Sequence, residues 1–135
     1  MAILNNLGVY KDFGLLVMRI GVGAMMVVHG YPKVLGGPDY WEKVGVNMRN
    51  IGVDFLPVFW GAMAAGTEAF GGLLLILGYF FRPTCLLLVF TMIVAAISHF
   101  SRGQGVNEAS HAIALGFAFF GLMFIGPGKH ALEKG

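Results

Sequence analysis

The chain has 135 residues, of which 57% are hydrophobic and 12% charged, with a formal net charge of +2 from nine Lys and Arg against seven Asp and Glu. Mean hydropathy is +0.76, whereas soluble domains carry about 25% charged residues, so a soluble domain, a disordered tail and a nucleic-acid binder are all excluded. A lone cysteine, Cys85, leaves neither an internal disulfide nor a Cys-x-x-Cys redox pair.

A membrane helix needs about 20 mostly apolar residues to cross a hydrocarbon core of about 30 Å. Four stretches meet that need, at about 13–31, 58–81, 84–100 and 111–125. Backbone groups in lipid must be satisfied within each segment, which makes these spans helices. No alternating pattern supports a barrel. The first apolar run is long enough to span and follows Lys11, so it reads as an anchor rather than a cleavable leader. The expected fold is therefore an all-α, four-helix membrane bundle forming a single domain over 1–135.

Between the first two spans lies the one long connection, Pro32 to Pro57. Asp39 followed by Glu42 suggests a capping box behind Pro38. Trp41, Val44, Met48 and Ile51 fall at helical spacing. An amphipathic helix is expected here, lying on the outer surface or lidding the bundle. Small residues four apart mark candidate seams: Gly61/Ala65, Ala62/Gly66 and Ala65/Ala69 on the second span, Ala112/Gly116 and Ala114/Ala118 on the fourth. Cys85, behind Arg82-Pro83, reads as a packing residue.

Four spans place both termini on one side. That side holds Lys11, Arg82, Lys129 and Lys134, with Arg19 just inside the first helix; the opposite side holds Lys33, Lys43, Arg49 and Arg102. The positive-inside bias favours cytoplasmic termini. His29 with Lys33 and His99 with Arg102 lie near the outer ends of the first and third spans, a spacing compatible with a duplicated hairpin.

A charge at the bilayer centre costs about 2.5–3.5 kcal/mol on insertion scales, so intramembrane ionisable residues are the best functional guides. Glu68 is the deepest, in the middle of the second span. Counting helical rises from opposite ends brings Arg19 to within about one turn of it, and a buried Arg19–Glu68 ion pair is expected. His29, His99 and His111 gather at the outer ends of three spans, with Glu108 one turn from His111. These groups admit three readings. They end helices and bond headgroups or carbonyls. They line a pocket for a quinone-like headgroup, with His29 and Glu68 exchanging protons and Arg19, Lys33, His99, His111 and Glu108 binding. Or imidazoles hold a metal or haem, a reading with no compact ligand motif behind it, so no metal site is assigned.

Taken together, several pieces resemble the DoxX family of small four-helix membrane proteins. They are Arg19 within Leu15-Leu16-Val17-Met18-Arg19, His29-Gly30 followed by Lys33, the run Glu68-Ala69-Phe70-Gly71-Gly72-Leu73-Leu74-Leu75, and the Gly126-Pro127-Gly128 stop. The resemblance spans about residues 12–131. It implies a subunit of a membrane oxidoreductase complex, since the family is named for a membrane subunit of a terminal quinol oxidase and has relatives linked to thiosulfate:quinone oxidoreductase. It makes Arg19, His29, Lys33 and Glu68 characteristic polar positions without giving them catalytic roles. The expected setting is a bacterial or archaeal inner membrane, with lipid and other redox subunits as partners. A non-catalytic assembly subunit, with Arg19–Glu68 as a clasp, is the alternative, and a small-molecule or lipid transporter a third.

Overall fold

The computed structural model describes residues 2–132, which places Lys134 of the orientation argument outside the described residues. A short turn, α1 (Ala2–Asn5), and a 3-10 segment (Asn6–Tyr10) lead into α2 (Lys11–Leu35). Then come α3 (Gly37–Gly45), a second 3-10 segment (Val46–Ile51), α4 (Pro57–Leu77), α5 (Phe81–Ser101) and α6 (Val106–Ile125). No strand occurs among the described residues. Four helices, counting the 3-10 lead-in with α2, are long and apolar enough to cross a membrane.

The helix ends differ from the hydropathy windows for local reasons. Pro32 does not stop α2, which runs on to Leu35. A proline in a membrane helix loses one hydrogen bond that neighbouring groups make good. Helix α4 stops at Leu77 rather than residue 81, because Gly78 adopts φ 70 and donates its N–H to the Leu74 and Leu75 carbonyls. That left-handed cap needs a residue without Cβ. Helix α5 starts earlier than expected, tolerating Pro83 within its first turn. Helix α6 starts at Val106, where the Glu108 carboxylate accepts the Gly105 N–H at 2.9 Å.

Antiparallel pairs build the bundle: α2 against α4, α5 against α6, with α4 joining the two. The α2–α4 seam is made of missing side chains. A Cβ on Gly23 would lie 2.6 Å from the Gly72 carbonyl oxygen, and one on Gly72 would lie 2.5 Å from that of Gly23. Two turns along, a Cβ on Gly30 would collide with the backbone of Ala69 and lie 2.8 Å from the Cβ of Glu68. Of the sequence seams, Gly61, Ala65 and Ala69 are buried, whereas Ala114 is exposed. Membrane helices pack by such close backbone approach because lipid gives no hydrophobic drive for helices to associate.

The core joins Met26, Leu75, Phe81, Cys85, Leu88, Met92, Ala112, Phe119 and Leu122. Cys85 is fully enclosed there. Outward faces carry Phe13, Val17, Val28, Phe70, Leu73, Leu86, Phe90, Phe117 and Phe124, all exposed. The buried polar set is Arg19, Glu68, Thr84 and Ser98. Apolar outside and charged inside is the arrangement of a protein dissolved in lipid.

Arg19 is 1% exposed and binds backbone rather than a carboxylate. Its guanidinium donates to the carbonyls of Leu75 (3.0 Å) and Ile76 (2.7 Å) at the end of α4, and to Pro127 and His130 (both 3.1 Å) in the tail. A cation is favoured at a helix C-terminus, where carbonyls lack intrahelical partners. The expected Arg19–Glu68 pair does not form. The glycine seam places Arg19 beside Leu75, roughly 10 Å further along α4 than Glu68 at 1.5 Å per residue.

Gly72→Val is expected to destabilise the protein in detergent by about 1–3 kcal/mol through overpacking. Gly121→Ala, at a position where a Cβ meets nothing within 4 Å, is expected to change stability by less than about 0.5 kcal/mol. Thermal or SDS titration of the two variants checks the contrast.

Candidate functional site: a chamber beneath the α3 lid

Helix α3 is shorter than its apolar periodicity suggests and gives way to 3-10 geometry after Gly45. The Asp39/Glu42 capping box is absent: the helix starts at Gly37, with no side-chain cap. Starting there puts Asp39 inside the first turn, where it cannot serve as N-cap. Tertiary packing holds the segment instead. A Cβ on Gly45 would collide with the Pro57 carbonyl, and one on Gly61 with the Trp41 carbonyl. The backbones of α3 and α4 thus meet directly, and α3 forms a lid over the bundle. The Trp41 indole N–H donates to the Lys33 carbonyl at 2.9 Å, tying that lid to the end of α2.

Beneath the lid is a cavity of about 490 Å³ between α3, α4 and α5. Its polar wall carries Lys33, Tyr40, Lys43, Thr67, Glu68, Ser98, His99 and Arg102; its apolar wall carries Met63, Leu87, Phe90 and Val94. Leu87 and Phe90 are also exposed on the lipid-facing side. The cavity therefore grades from a charged end near the lid to an apolar end near the bilayer.

Lys33 and Glu68 form an ion pair at the cavity wall. The ammonium lies 3.0 Å from Oε1 and 2.8 Å from Oε2. Lys33 retains 31% side-chain exposure and Glu68 9%. The pair follows from the glycine seam. Gly30 lets α2 touch the Cβ of Glu68, and Lys33, one turn later, reaches across to the carboxylate. Trp60 adds a further donor: its Nε1 is buried and, among the described residues, has no hydrogen-bond partner. A buried N–H of this kind costs about 1–3 kcal/mol until it is met.

The remaining predicted residues disperse. His99 lines the cavity, its Nδ1 paired with Gln104 Oε1. His29 does not share the chamber with Glu68. It lies one residue before Gly30, about 100° round the helix, and faces a separate groove lined also by His111. Glu108 is an exposed cap for α6 rather than a pocket residue. Arg19 lies at the opposite end of the bundle. Sequence reasoning missed Trp60 and Thr67. Thr67 adjoins Glu68, and Trp60 stands two turns earlier on α4, so their positions beside the deep carboxylate were the available signal.

Apolar spanning helices with an enclosed ion pair define a helical integral membrane protein. The DoxX family matches residues 14–101, and the chain belongs to that family. It is 27% identical to inner membrane protein YphA of Escherichia coli, over 93% of this chain and 96% of that protein. It is 27% identical to inner membrane protein YqjF of the same organism, over 92% of each. An uncharacterized protein of Haemophilus influenzae is 31% identical, over 97% of this chain and 96% of its own length. No solved structure matches the chain significantly.

A double-mutant cycle separates the ion pair that forms from the one that does not. Lys33→Met and Glu68→Gln are expected to couple by at least about 1 kcal/mol, because either alone leaves a charged or polar group in apolar surroundings. Arg19→Leu and Glu68→Gln are expected to be additive within about 0.5 kcal/mol. Unfolding free energies in detergent give both values.

Proposed function

We propose that the protein is a redox-associated membrane subunit that receives a quinone-like headgroup in the chamber under α3. The observation that carries this reading is the Lys33–Glu68 pair on the wall of a cavity graded from charged to apolar. A quinone has the same grading: two carbonyl oxygens on a ring, then an isoprenoid tail. The apolar wall of Leu87 and Phe90 suits the tail. The Lys33 ammonium and the Trp60 N–H suit the carbonyls, since both are donors and the indole is otherwise unmet.

In this reading Glu68 is the proton site. Oxidising a quinol to a quinone releases two electrons and two protons. A carboxylate held beside an ammonium accepts one proton from a quinol hydroxyl as Lys33 turns toward the carbonyl that forms, and the second proton passes from the other hydroxyl to water at the charged end of the chamber. The electrons pass to another subunit of the complex; this chain contributes binding and proton transfer. His29 leaves the proton-exchange scheme, Arg19, His111 and Glu108 leave the binding set, and Lys33 takes the place beside Glu68 expected of Arg19.

A non-catalytic assembly subunit is the second reading. Arg19 favours it, since four backbone hydrogen bonds from one buried guanidinium clamp α2, α4 and the tail without any chemistry. The positive-inside bias supports an orientation in a bacterial or archaeal inner membrane with both termini cytoplasmic and the chamber on the outer side.

Two experiments test these statements. In nanodiscs, a short-chain quinone is expected to quench tryptophan fluorescence saturably. Trp60→Phe should remove much of the signal and Lys33→Met should weaken binding by about tenfold, the loss of one charge-assisted contact of about 1.4 kcal/mol. Linear, unsaturable quenching in both forms sinks the quinone reading and leaves the assembly subunit. A C-terminal fluorescent-protein fusion should glow and a C-terminal alkaline phosphatase fusion should be silent; the reverse pattern inverts the orientation.

A further inference from the structure

A second cavity, of about 430 Å³, lies between α2 and α6, on another face of α2 from the chamber, and the proposed function makes no use of it. Helices α2 and α6 make no close backbone contact there. The two imidazoles His29 and His111 meet across the groove, ring centres 5.7 Å apart and planes at 66°. Met18, Met25 and Met26 line the same groove. No hydrogen bond to either imidazole is found among the described residues. The two histidines are exposed at the mouth of the groove, converge from different helices and keep their ring nitrogens unpaired, so both are free to ligate.

We infer that His29 and His111, with the Met25 thioether as third ligand, bind one soft monovalent cation of the Cu(I) type. Two imidazoles that share a metal through nitrogens at about 2.0 Å place their ring centres roughly 5–6 Å apart, which matches the observed separation. Met25 precedes His29 by four residues, so sulfur and imidazole share one face of α2. Among the described residues no three His, Cys, Asp or Glu side chains converge, so a zinc-type set is lacking and thioethers must complete the coordination. Thioether ligands select Cu(I) over zinc. Charge points the same way. The groove holds no carboxylate, and the cost of moving an ion out of water rises with the square of its charge, so a monovalent ion is favoured over a divalent one.

The test uses the full chain in mild detergent without oxygen. Cu(I) is titrated against a chromophoric Cu(I) chelator, and Ag(I) serves as an air-stable probe by calorimetry. One equivalent per chain is expected. His29→Gln and His111→Gln should each weaken binding by about a hundredfold, and Met25→Leu by about tenfold, while elution volume and melting temperature stay unchanged. Zn(II) at equal concentration should not displace the ion. X-ray absorption of the Cu(I)-loaded wild type needs no variant and should find both nitrogen and sulfur bound to copper. Four results overturn the inference: no stoichiometric binding, binding kept by the His29→Gln/His111→Gln double variant, displacement by Zn(II), or a Soret band that depends on His29, which would put haem between the two helices. None of these outcomes bears on quinone quenching at Trp60, so this site and the chamber stand or fall separately.

Discussion

The contact of Gly23 with Gly72 and of Gly30 with Ala69 brings α2 and α4 into backbone contact, and most of the molecule's polar chemistry depends on the register it sets. With carbonyl oxygens where side chains would normally stand, one helix cannot slide on the other without a collision. In that register Lys33 falls opposite Glu68, and Arg19 falls opposite the last turn of α4. A shift of one turn would separate both sets. The small residues do more than permit packing: they decide which charge meets which.

Three of the four buried polar groups are matched in different ways. Arg19 finds carbonyls freed by a helix end and a turn, Glu68 finds an ammonium, and Ser98 bonds back to the Val94 carbonyl at 2.9 Å. Among the described residues the buried side-chain donor left without a partner is the Trp60 N–H, and Trp60 lines the cavity in which the ion pair also lies. The molecule thus separates polar groups that hold it together, at the Arg19 end, from polar groups with capacity left over, at the chamber end.

The spans were legible because hydropathy is a bulk property of about 20 residues and survives small errors of position. Glu68 and Lys33 were legible as positions, since a charge in an apolar run stands out, but their pairing was not. Counting rises from estimated helix ends carried an error of about two turns, enough to assign Arg19 as the partner. The seam residues that set the true register are visible on α4, but their counterparts on α2, Gly23 and Gly30, stand seven residues apart and lack the four-residue spacing that marks such a seam. Rotation was equally hidden. His29, His99 and His111 share a depth, but only His29 and His111 face one another, because neighbouring residues on a helix point about 100° apart. The α6 cap escaped notice because its N-cap is Gly105, with no side-chain oxygen, so the capping pattern lacked its first letter. The lid was legible as a helix and shortened by its contacts: Gly45 gives α3 its approach to Pro57 and precedes the change to 3-10 geometry.

The Arg19 network also carries information about how the chain is made. Two of its acceptors, the carbonyls of Pro127 and His130, lie 108 and 111 residues further along the chain, and the other two belong to α4. When α2 enters the bilayer its guanidinium has none of them. Helix α4 brings the first pair, and only when the tail folds back, with the Lys129 N–H bonded to Asp12 and the Leu132 N–H to the Leu77 carbonyl, does the first helix obtain its full set. Arg19 therefore records completion: a polypeptide interrupted before residue 127 keeps an under-solvated cation in its first helix, a marker by which unfinished copies differ from finished ones.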